Sequence, residues 1–367
     1  MKKIIFVILM CCAAYNSSFA QKLELVARVM PPTPDMSGIA ITPDGRIFIS
    51  FPRHADNHKE YALAELKEDG QIVPFPNREM TYPSDRPYEE WLVSPHGMTT
   101  DEKGNIWVID DGKRAGIDGI PEGAAKVVGF SPDGKVISSV VIKSPVLRQD
   151  MHLNDLRIDL RHGKSGMAYI TNSSFETTPS LVVADIATGK SREVLAGHYS
   201  TAIQKGYVAF LEGEARTYHP DNVTLPSGGA NGIALVKGRL YWTPITGRGL
   251  YSMATDSLSD FTLSEITLEK AVRYEGDRPA CDGLAEDADG NIYFSAYEQM
   301  ALVKRSADGT FKTLVHSPLL GWPDGMFYTQ NGYLYVTLGQ WNRLPGFNNG
   351  KDLRRPPYQI VRIQIAH

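Results

Sequence analysis

A short motif that repeats six times limits the folds open to this chain. Its clearest copy, Asp282–Ser295, has a small apolar run, a tight turn around Gly290 and the β-branched and aromatic run Ile292–Phe294, which is typical of a half-buried strand. The second residues of the six copies are Gly38, Gly97, Asp155, Gly232, Gly283 and Gly325. These residues are 59, 58, 77, 51 and 42 positions apart. A period of roughly 40 to 50 residues is typical of β-propellers, so the sequence predicts an all-β, six-bladed β-propeller with insertions.

A Greek-key sandwich also contains many short strands, but it does not repeat one turn-and-strand motif at matched positions. Two alternating apolar runs flank the repeats, Leu23–Val29 before them and Tyr358–Ile365 after them. They could be ordinary edge strands, but an unpaired edge this apolar would promote aggregation. We therefore expect the two terminal runs to pair and close the ring. Residues 21–367 would then form a single propeller domain.

The first twenty residues are predicted to be a cleavable signal peptide. Two lysines follow the first methionine, the run Ile4–Ala14 is apolar, and the small residues Ser18 and Ala20 lie where a signal peptidase cleaves. The mature chain would begin at Gln21 and work in the periplasm or as a secreted protein. Lipidation at Cys12 is the alternative, although the residues before it are poor for that modification.

The composition of the mature chain argues against several classes of partner. It has 36 Lys and Arg against 42 Asp and Glu and no basic block, which argues against nucleic acid and anionic lipid. Cys281 is its one cysteine, so no internal disulfide forms, and no later run of about 18 apolar residues predicts a membrane span. Phosphate-binding loops, nucleophile elbows and Cys/His zinc spacings are absent from the sequence. We expect the partner to be a small-molecule ligand or substrate.

One polar position recurs at the start of every blade. The innermost strand of a propeller blade runs along the central tunnel, so the residue before each motif's second residue belongs to a ring around that tunnel. The six ring residues are Ser37, His96, Asn154, Asn231, Asp282 and Asp324. Asn, Asp and Ser favour turns for local reasons, which explains such a set without function. The functional interpretation is a ligand-binding site that all six share.

The chemistry of these residues leaves several ligands open. Carboxylate and carboxamide oxygens suit Ca²⁺ or another divalent cation, and they also suit a protonated amine or a polyhydroxyl ligand. His96 is a candidate general acid or base, with a pKa that an acidic neighbour would raise. His152 is a second candidate catalytic residue, because it has the same facing as Asn154 two positions later, although a lone histidine is more often structural. Arg278 is expected to keep the Asp282 carboxylate ionised.

Two further features concern the faces of the ring. Trp322 and Trp341 are the tryptophans best placed to line a tunnel mouth. The long loops Asn77–Pro95, Gly112–Ala125 and Gln340–Pro357 are expected on the two faces, where such loops rim the tunnel or form partner surfaces.

Several blocks resemble the yellow and major royal jelly protein family. They are Ile106–Gly112, Asn154–Asp159, Ala168–Asn172, Leu181–Asp185, Asn231–Leu235, Leu240–Pro244, Leu250–Ser252, Trp322–Gly325 and Gly332–Thr337. With the repeats, the resemblance runs from about residue 37 to the C-terminus. It implies a secreted six-bladed propeller and brings the label of dopachrome-converting enzyme, carried by some insect members. Other members bind amines or sterols without catalysis.

A weaker resemblance is to the gluconolactonase and regucalcin propellers. Those proteins hold a divalent cation and a lactone in the tunnel with a Glu, two Asn and an Asp near blade starts. Asn154, Asn231 and Asp282 lie at comparable places, which implies that they are metal ligands, whereas Ser37 replaces the expected Glu. Two classes of function follow: a tautomerase-like or lactonase-like enzyme, and a non-catalytic protein that binds an amine, catechol or sugar-like ligand.

Overall fold

The structure, a computed structural model, describes residues 21–174, 178–217, 224–226 and 228–365. The predicted signal peptide lies outside the described residues. Six antiparallel sheets of four strands, numbered blades 1 to 6 in chain order, surround a central tunnel. Blade 1 contains Ile39–Ile41, Ile47–Ser50, Leu63–Leu66 and Ile72–Pro74. Blade 2 contains Pro95–Thr100, Ile106–Asp110, Lys126–Phe130 and Val136–Val141. Blade 3 contains Leu153–Asp159, Met167–Asn172, Ser180–Asp185 and Ser191–Val194.

The second half of the chain repeats this arrangement. Blade 4 contains Ala230–Val236, Arg239–Pro244, Gly249–Ala254 and Arg273–Asp277. Blade 5 contains Leu284–Glu286, Ile292–Ala296, Ala301–Arg305 and Phe311–His316. Blade 6 contains Pro323–Tyr328, Tyr333–Leu338, Tyr358–Gln364 and, at its outer edge, Glu24–Val29.

Pairing of the two terminal strands closes the ring, as the sequence predicts. Glu24–Val29 runs antiparallel to Tyr358–Gln364, with Leu25 opposite Val361 and Val29 opposite Tyr358. The inner strands contact one another in chain order, and the inner strand of blade 6 packs against that of blade 1. The prediction of a six-bladed propeller with terminal-strand closure is confirmed.

Burial follows the position of each strand within its blade. The second strands Ile106–Asp110, Met167–Asn172 and Ile292–Ala296 are buried along their whole length, because a neighbouring blade covers each face of the sheet. The outer strand Phe311–His316 is mostly exposed. The hydrophobic runs in the repeated motif therefore pack between neighbouring blades.

The glycine in the repeated motif is required by the close approach of neighbouring inner strands. A Cβ on Gly38 would lie 2.4 Å from the carbonyl oxygen of His96, and one on Gly283 would lie 2.2 Å from that of Asp324. Real Cβ atoms do not come this close, so only glycine fits. The glycine in the motif is therefore a consequence of the narrow tunnel at the level of the ring residues.

Hydroxyl side chains of the second strands hold the ring residues in place. Ser50 accepts the N–H of Gly38 over 2.8 Å and donates over 2.5 Å to the carbonyl oxygen of His96 in the next blade. Thr171 and Thr337 make the matching bonds to the ring residues of the next blades, both over 2.6 Å. The backbone at these three ring positions, His96, Asn231 and Ser37, is therefore held by a hydroxyl from the neighbouring blade.

The irregular segment in the 77-residue spacing contains a small hairpin, Val208–Leu211 and Glu214–Thr217. Tyr207 and Ala209 pack with Tyr297, Trp322 and other residues in one buried cluster. The hydroxyls of Tyr207 and Tyr297 are hydrogen-bonded over 3.0 Å. The insertion therefore supports aromatic residues at one mouth of the tunnel.

An ion pair crosses the tunnel on the other side of the ring. Arg157 of blade 3 reaches Glu286 of blade 5, with 2.8 Å between Nε and Oε1, and Glu286 also accepts the backbone N–H of Leu235 in blade 4. Arg157 and Glu286 lie three and four residues beyond the ring, which places them roughly 10 Å deeper along the inner strands.

Helices are short within the residues that the structure describes. They are Arg78–Thr81, Thr255–Ser259 and Glu265–Ala271, with 3₁₀ turns at Tyr88–Glu90, Trp341–Arg343 and Pro345–Phe347. None of the described helices has the length and apolar character needed to cross a membrane.

Candidate functional site

A cavity of about 360 Å³ lies at the mouth of the tunnel where the inner strands begin. Its volume lies in the range of small-molecule sites. Five of the predicted ring residues line it, namely His96, Asn154, Asn231, Asp282 and Asp324. Ser37 joins these five around an adjoining void of about 20 Å³. The structure therefore brings together every ring residue that the sequence predicts.

The mouth has an imidazole side and a carboxyl side. His54, His96 and His152 come from blades 1 to 3, whereas Asp282 and Asp324 come from blades 5 and 6. His96 and Asp282, three blades apart in a ring of six, face each other across the tunnel. Ser37 connects the two sides: it acts to lower the pKa of Asp324, and its hydroxyl oxygen lies 3.4 Å from Nδ1 of His96.

The imidazole side is a compact cluster. The centres of the His54 and His96 rings are 5.0 Å apart, those of His54 and His152 are 4.8 Å apart, and those of His96 and His152 are 5.0 Å apart. One nitrogen from each ring lies within 4.8 Å of the other two. Sequence reasoning predicts His96 and His152 at the site but misses His54.

Hydrogen bonds from the surrounding protein orient two of these rings. Nδ1 of His96 donates to the carbonyl oxygen of Asn154 over 3.1 Å, because a carbonyl can only accept. Nδ1 of His152 lies 2.9 Å from Oδ2 of the buried Asp111, an aspartate that the sequence-based site does not include. With Asp111 ionised, both rings carry their proton on Nδ1, and Nε2 holds the lone pair.

Burial sets the protonation of the imidazole side. It lowers the pKa of His96 and of His152 to about 3, and neighbouring positive charge adds to the effect. The pKa of His54 falls well below its ordinary value for the same reasons. Burial raises the pKa of Asp111 to about 7. Asp111 acts to raise the pKa of His96, as expected of an acidic neighbour, but loss of hydration outweighs it and the net shift is downward.

Each carboxyl on the opposite side is bound by a tryptophan of the cavity wall. The indole N–H of Trp322 donates to Oδ2 of Asp282 over 2.8 Å, and that of Trp341 donates to Oδ2 of Asp324 over 2.7 Å. Both tryptophans line the mouth, as the sequence predicts. These two hydrogen bonds therefore hold the tryptophans of the cavity wall in place relative to the carboxyls of Asp282 and Asp324.

The two carboxyls favour their neutral forms. Burial raises the pKa of Asp324 to about 7, and burial together with the charge of Asp324 raises the pKa of Asp282 well above its ordinary value. The expectation that Arg278 keeps Asp282 ionised is wrong. The Arg278 guanidinium instead donates to the carbonyl oxygens of Pro244 and Pro279, over 2.5 and 2.9 Å. The pair thus retains at least one proton near neutral pH.

The predicted metal ligands Asn154, Asn231 and Asp282 lie together, but they fit Ca²⁺ poorly as they are arranged. Trp322 donates a hydrogen bond to Asp282, and Asn231 acts to lower the pKa of the same carboxyl. A carboxyl bound in this way, and held largely neutral, does not offer the charged oxygen that Ca²⁺ favours. Ca²⁺ binding at these residues stays a prediction, and the chemistry proposed below does not depend on it.

Aromatic groups form the walls of the cavity, and the polar ring residues form its floor. Trp322 stacks on Tyr297 with 4.6 Å between ring centres and 13° between ring planes. The ring centres of Trp341 and His54 are 5.4 Å apart. Phe347, in the long loop predicted to lie on a face, completes the rim. These walls suit a flat ligand.

The two missed residues, His54 and Asp111, share one position in the repeat with Trp341, which the sequence predicts at the tunnel mouth. His54, Asp111 and Trp341 lie one to four residues after the second strand of their blades. Because the second strand runs antiparallel to the inner strand, the chain returns there to the level of the ring. Inspection of these loop positions would have found His54 and Asp111.

The fold and site define a class: six-bladed propellers with a ligand-sized cavity at one mouth of the tunnel, in which aromatic walls meet a ring of polar residues. The family described as major royal jelly protein matches residues 93–365. The chain belongs to this family.

Solved structures with the same fold come from several functional groups. Regucalcin of Agrobacterium tumefaciens, described as a calcium-binding protein, is 14% identical over 93% of this chain and 96% of its own, with a TM-score of 0.55. A gluconolactonase of Xanthomonas campestris is 12% identical over 94% and 90%, with a TM-score of 0.52. Virginiamycin B lyase of Staphylococcus aureus is 12% identical over 94% and 99%, with a TM-score of 0.51. At these identities the likeness shows the fold alone. No curated protein matches the chain.

Proposed function

We propose that the chain is a tautomerase-type enzyme that moves a proton between two atoms of a small, flat substrate in the tunnel mouth. The observation that carries this proposal is the carboxyl pair Asp282 and Asp324, which is buried, bound by two indoles and holds a proton near neutral pH. Paired carboxyls whose pKa values are pushed apart supply one acid and one base in the same site.

The proposed step needs no co-reactant. The ionised carboxylate accepts a proton from a saturated ring carbon that is conjugated through a C=C bond with a substrate carbonyl, and the electron pair of that C–H bond moves through the ring system towards the carbonyl. The neutral carboxyl gives its proton to the carbonyl oxygen, which becomes a hydroxyl. One proton enters the pair and one leaves it, so the pair regains its total charge. General acid–base catalysis of this kind contributes roughly 10²- to 10⁴-fold.

The walls favour a ring-shaped substrate. Trp322 is held flat by its stacking on Tyr297, and Trp341 and Phe347 bound the same space. Together with the dopachrome-converting label of some relatives, these walls support a catechol-derived ring ketone as substrate class. A lactone remains the other enzyme substrate to test, because structural neighbours include gluconolactonases.

The imidazoles supply the alternative base. His96 and His152 stay candidate acid/base residues, since both are neutral near pH 7 and line the same cavity. A non-catalytic binding protein is the second candidate function. The specific observation in its favour is that His96 and His152 are neutral near pH 7 and that the Asp282–Asp324 pair keeps a proton. Neutral imidazole and carboxyl groups can hydrogen-bond catechol hydroxyls without any proton transfer.

The test is turnover of dopachrome, followed as loss of its visible absorbance. The wild-type protein should accelerate the loss, and Asp324→Asn should reduce the rate by roughly 100-fold or more. Asp289→Asn is the matched control, because Asp289 is exposed in a turn of blade 5. Binding of dopachrome without turnover would support the binding protein instead. A normal rate for Asp324→Asn would remove the carboxyl pair from the mechanism.

We further propose that the protein is exported and works from Gln21 onward. The support is the apolar run and the small residues before Gln21. Intact-mass measurement of protein recovered from the native host tests this, and either a retained first methionine or an added lipid mass contradicts it.

A further inference from the structure

We propose that His54, His96 and His152 together bind one divalent transition-metal ion, of the Zn²⁺ class, at the tunnel mouth. Three nitrogens, one from each ring, lie within 4.8 Å of one another. The three residues come from three different blades, so chain proximity does not explain their convergence. This inference stands apart from the proposed tautomerase function, because Asp282 and Asp324 are not among the ligands.

The spacing suits ligation after small side-chain rotations. A Zn–N bond is about 2.0 to 2.1 Å, so the ligand nitrogens of a tetrahedral site lie roughly 3.3 Å apart. The ring centres are already 4.8 to 5.0 Å apart. The cluster therefore needs to contract around the ion, and the cavity beside it leaves room for the rings to turn.

The surroundings of two rings match those of metal-binding histidines. A histidine that binds a metal normally donates its other ring N–H to a carboxylate or a backbone carbonyl, which fixes the ring and its tautomer. His152 has this arrangement with an ionised Asp111 over 2.9 Å, and His96 has it with the carbonyl oxygen of Asn154 over 3.1 Å. In both rings Nε2 is then the nitrogen with the lone pair.

The third ring, that of His54, has a buried nitrogen that lacks a hydrogen bond. Nδ1 of His54 is buried and has no hydrogen-bond partner among the residues that the structure describes. A buried polar atom without a partner is destabilising, and such atoms are uncommon in folded proteins. Ligation through Nδ1 would satisfy it.

The donor set selects the class of metal. Three imidazole nitrogens suit Zn²⁺, Co²⁺, Ni²⁺ or Cu²⁺, whereas Ca²⁺ and Mg²⁺ prefer oxygen ligands. Three protein ligands leave a fourth position open, as in catalytic zinc sites. That position would face the cavity, opposite Asp282 and Asp324. A nitrogen bound to a metal cannot accept a proton, so ligation and a base role at that nitrogen exclude each other for His96 and His152.

The experiment measures metal binding directly. Full-length mature protein is stripped with a chelator and titrated with Co²⁺, followed by its visible absorption, and with Zn²⁺, followed by calorimetry. We expect one ion per chain, an intense tetrahedral Co²⁺ spectrum that Zn²⁺ abolishes, and no competition from Ca²⁺. Absence of Zn²⁺ and Co²⁺ binding, or a stoichiometry other than one, overturns the proposal.

Variants locate the ion. His54→Gln, His96→Gln and His152→Gln should each weaken Zn²⁺ binding by at least 100-fold, whereas His316→Gln, at an exposed position of blade 5, should leave it unchanged. Asp111→Asn keeps all three ligands and should weaken binding by roughly 10- to 100-fold. Thermal unfolding checks that each variant is folded, and Asp111→Asn keeps the test decisive where a histidine variant is not. Unchanged affinity in Asp111→Asn or in any folded histidine variant contradicts the site.

Asp324→Asn separates this inference from the proposed function. It should retain the Co²⁺ spectrum while losing turnover of dopachrome. Metal binding with no turnover in the wild type would leave the metal site standing and remove the tautomerase. Turnover without metal binding would do the reverse.

Discussion

The indole N–H of Trp341 donates a hydrogen bond of 2.7 Å to Oδ2 of Asp324. Trp341 follows the second strand of blade 6, and Asp324 lies in the inner strand of the same blade. The bond therefore ties the aromatic wall of the cavity to its acidic floor. It also favours the ionised carboxylate and partly offsets the burial that raises the pKa of Asp324 to about 7.

Replacement of Trp341 by Phe should raise the pKa of Asp324 above about 7, because the ring stays but the N–H donor is lost. If Asp324 titrates in turnover, the rising limb of the pH–rate profile should move to higher pH. Trp107→Phe is the matched control, since Trp107 donates an equivalent bond of 2.9 Å to Asp101, at the far end of its inner strand. An unmoved profile for Trp341→Phe would contradict this account.

The raised pKa of Asp324 should also be visible in folding stability. Its pKa is about 7 in the folded chain and 3.8 as the ordinary value. Between these values the unfolded chain binds fewer protons than the folded chain, so this residue's contribution to stability is full below pH 4 and falls as pH rises towards 7. The slope is at most about 1.4 kcal/mol per pH unit.

Asp324→Asn removes this titration, so the stability difference between wild type and variant should change with pH in the variant's favour. Urea unfolding at pH 4.5 and pH 7 measures it. Comparison with the variant is needed because the buried histidines have lowered pKa values and act in the opposite direction, adding stability as pH rises. A difference that does not change with pH would show that Asp324 is ionised in the fold.

The glycine of the repeat should be intolerant of even one methyl group. Gly283→Ala places a Cβ 2.2 Å from the carbonyl oxygen of Asp324, so two inner strands must separate. We expect a loss of about 1 to 3 kcal/mol in denaturant unfolding, as for other overpacked sites. Gly346→Ala is the control, because nothing lies within 4 Å of its added Cβ. Equal stability of the two variants would mean that the strands adjust freely.

That same contact explains how much of the site the sequence could predict. The tunnel is narrow enough to demand glycine at most of the blade starts, so the motif marks the level of the ring, and the residue beside each glycine must face the tunnel. The ring from Ser37 to Asp324 was predictable for this reason. Closure by Glu24–Val29 was predictable because an apolar strand at a chain end needs a partner.

The repeated motif does not include His54 and Asp111, which lie in loops of unequal length and sequence, so only their position just after a second strand could have indicated them. Their convergence depends on the antiparallel return of the second strand, which brings a loop residue back to the ring. The protonation states were missed for another reason. The sequence shows that His96 could have an acidic neighbour and Asp282 a basic one, but only the fold shows that burial dominates the pKa of each.

The last prediction concerns a protonated amine, the ligand that a carboxylate ring would suit on sequence grounds. At pH 7 the Asp282–Asp324 pair retains a proton, because burial raises the pKa of Asp324 to about 7 and raises that of Asp282 well above its ordinary value. A cation placed between the two carboxyls favours their ionised forms, so its binding should release a proton. Titration calorimetry with dopamine in buffers of different ionisation enthalpy measures the protons released, and we expect between about half a proton and one per ligand. Asp282→Asn leaves one titrating carboxyl and should reduce the release, whereas the exposed Asp289→Asn should not change it. Dopamine binding with no proton release would show either that the pair is already ionised or that the amine binds elsewhere. Either result contradicts a protonated Asp282–Asp324 pair as the site of the amine.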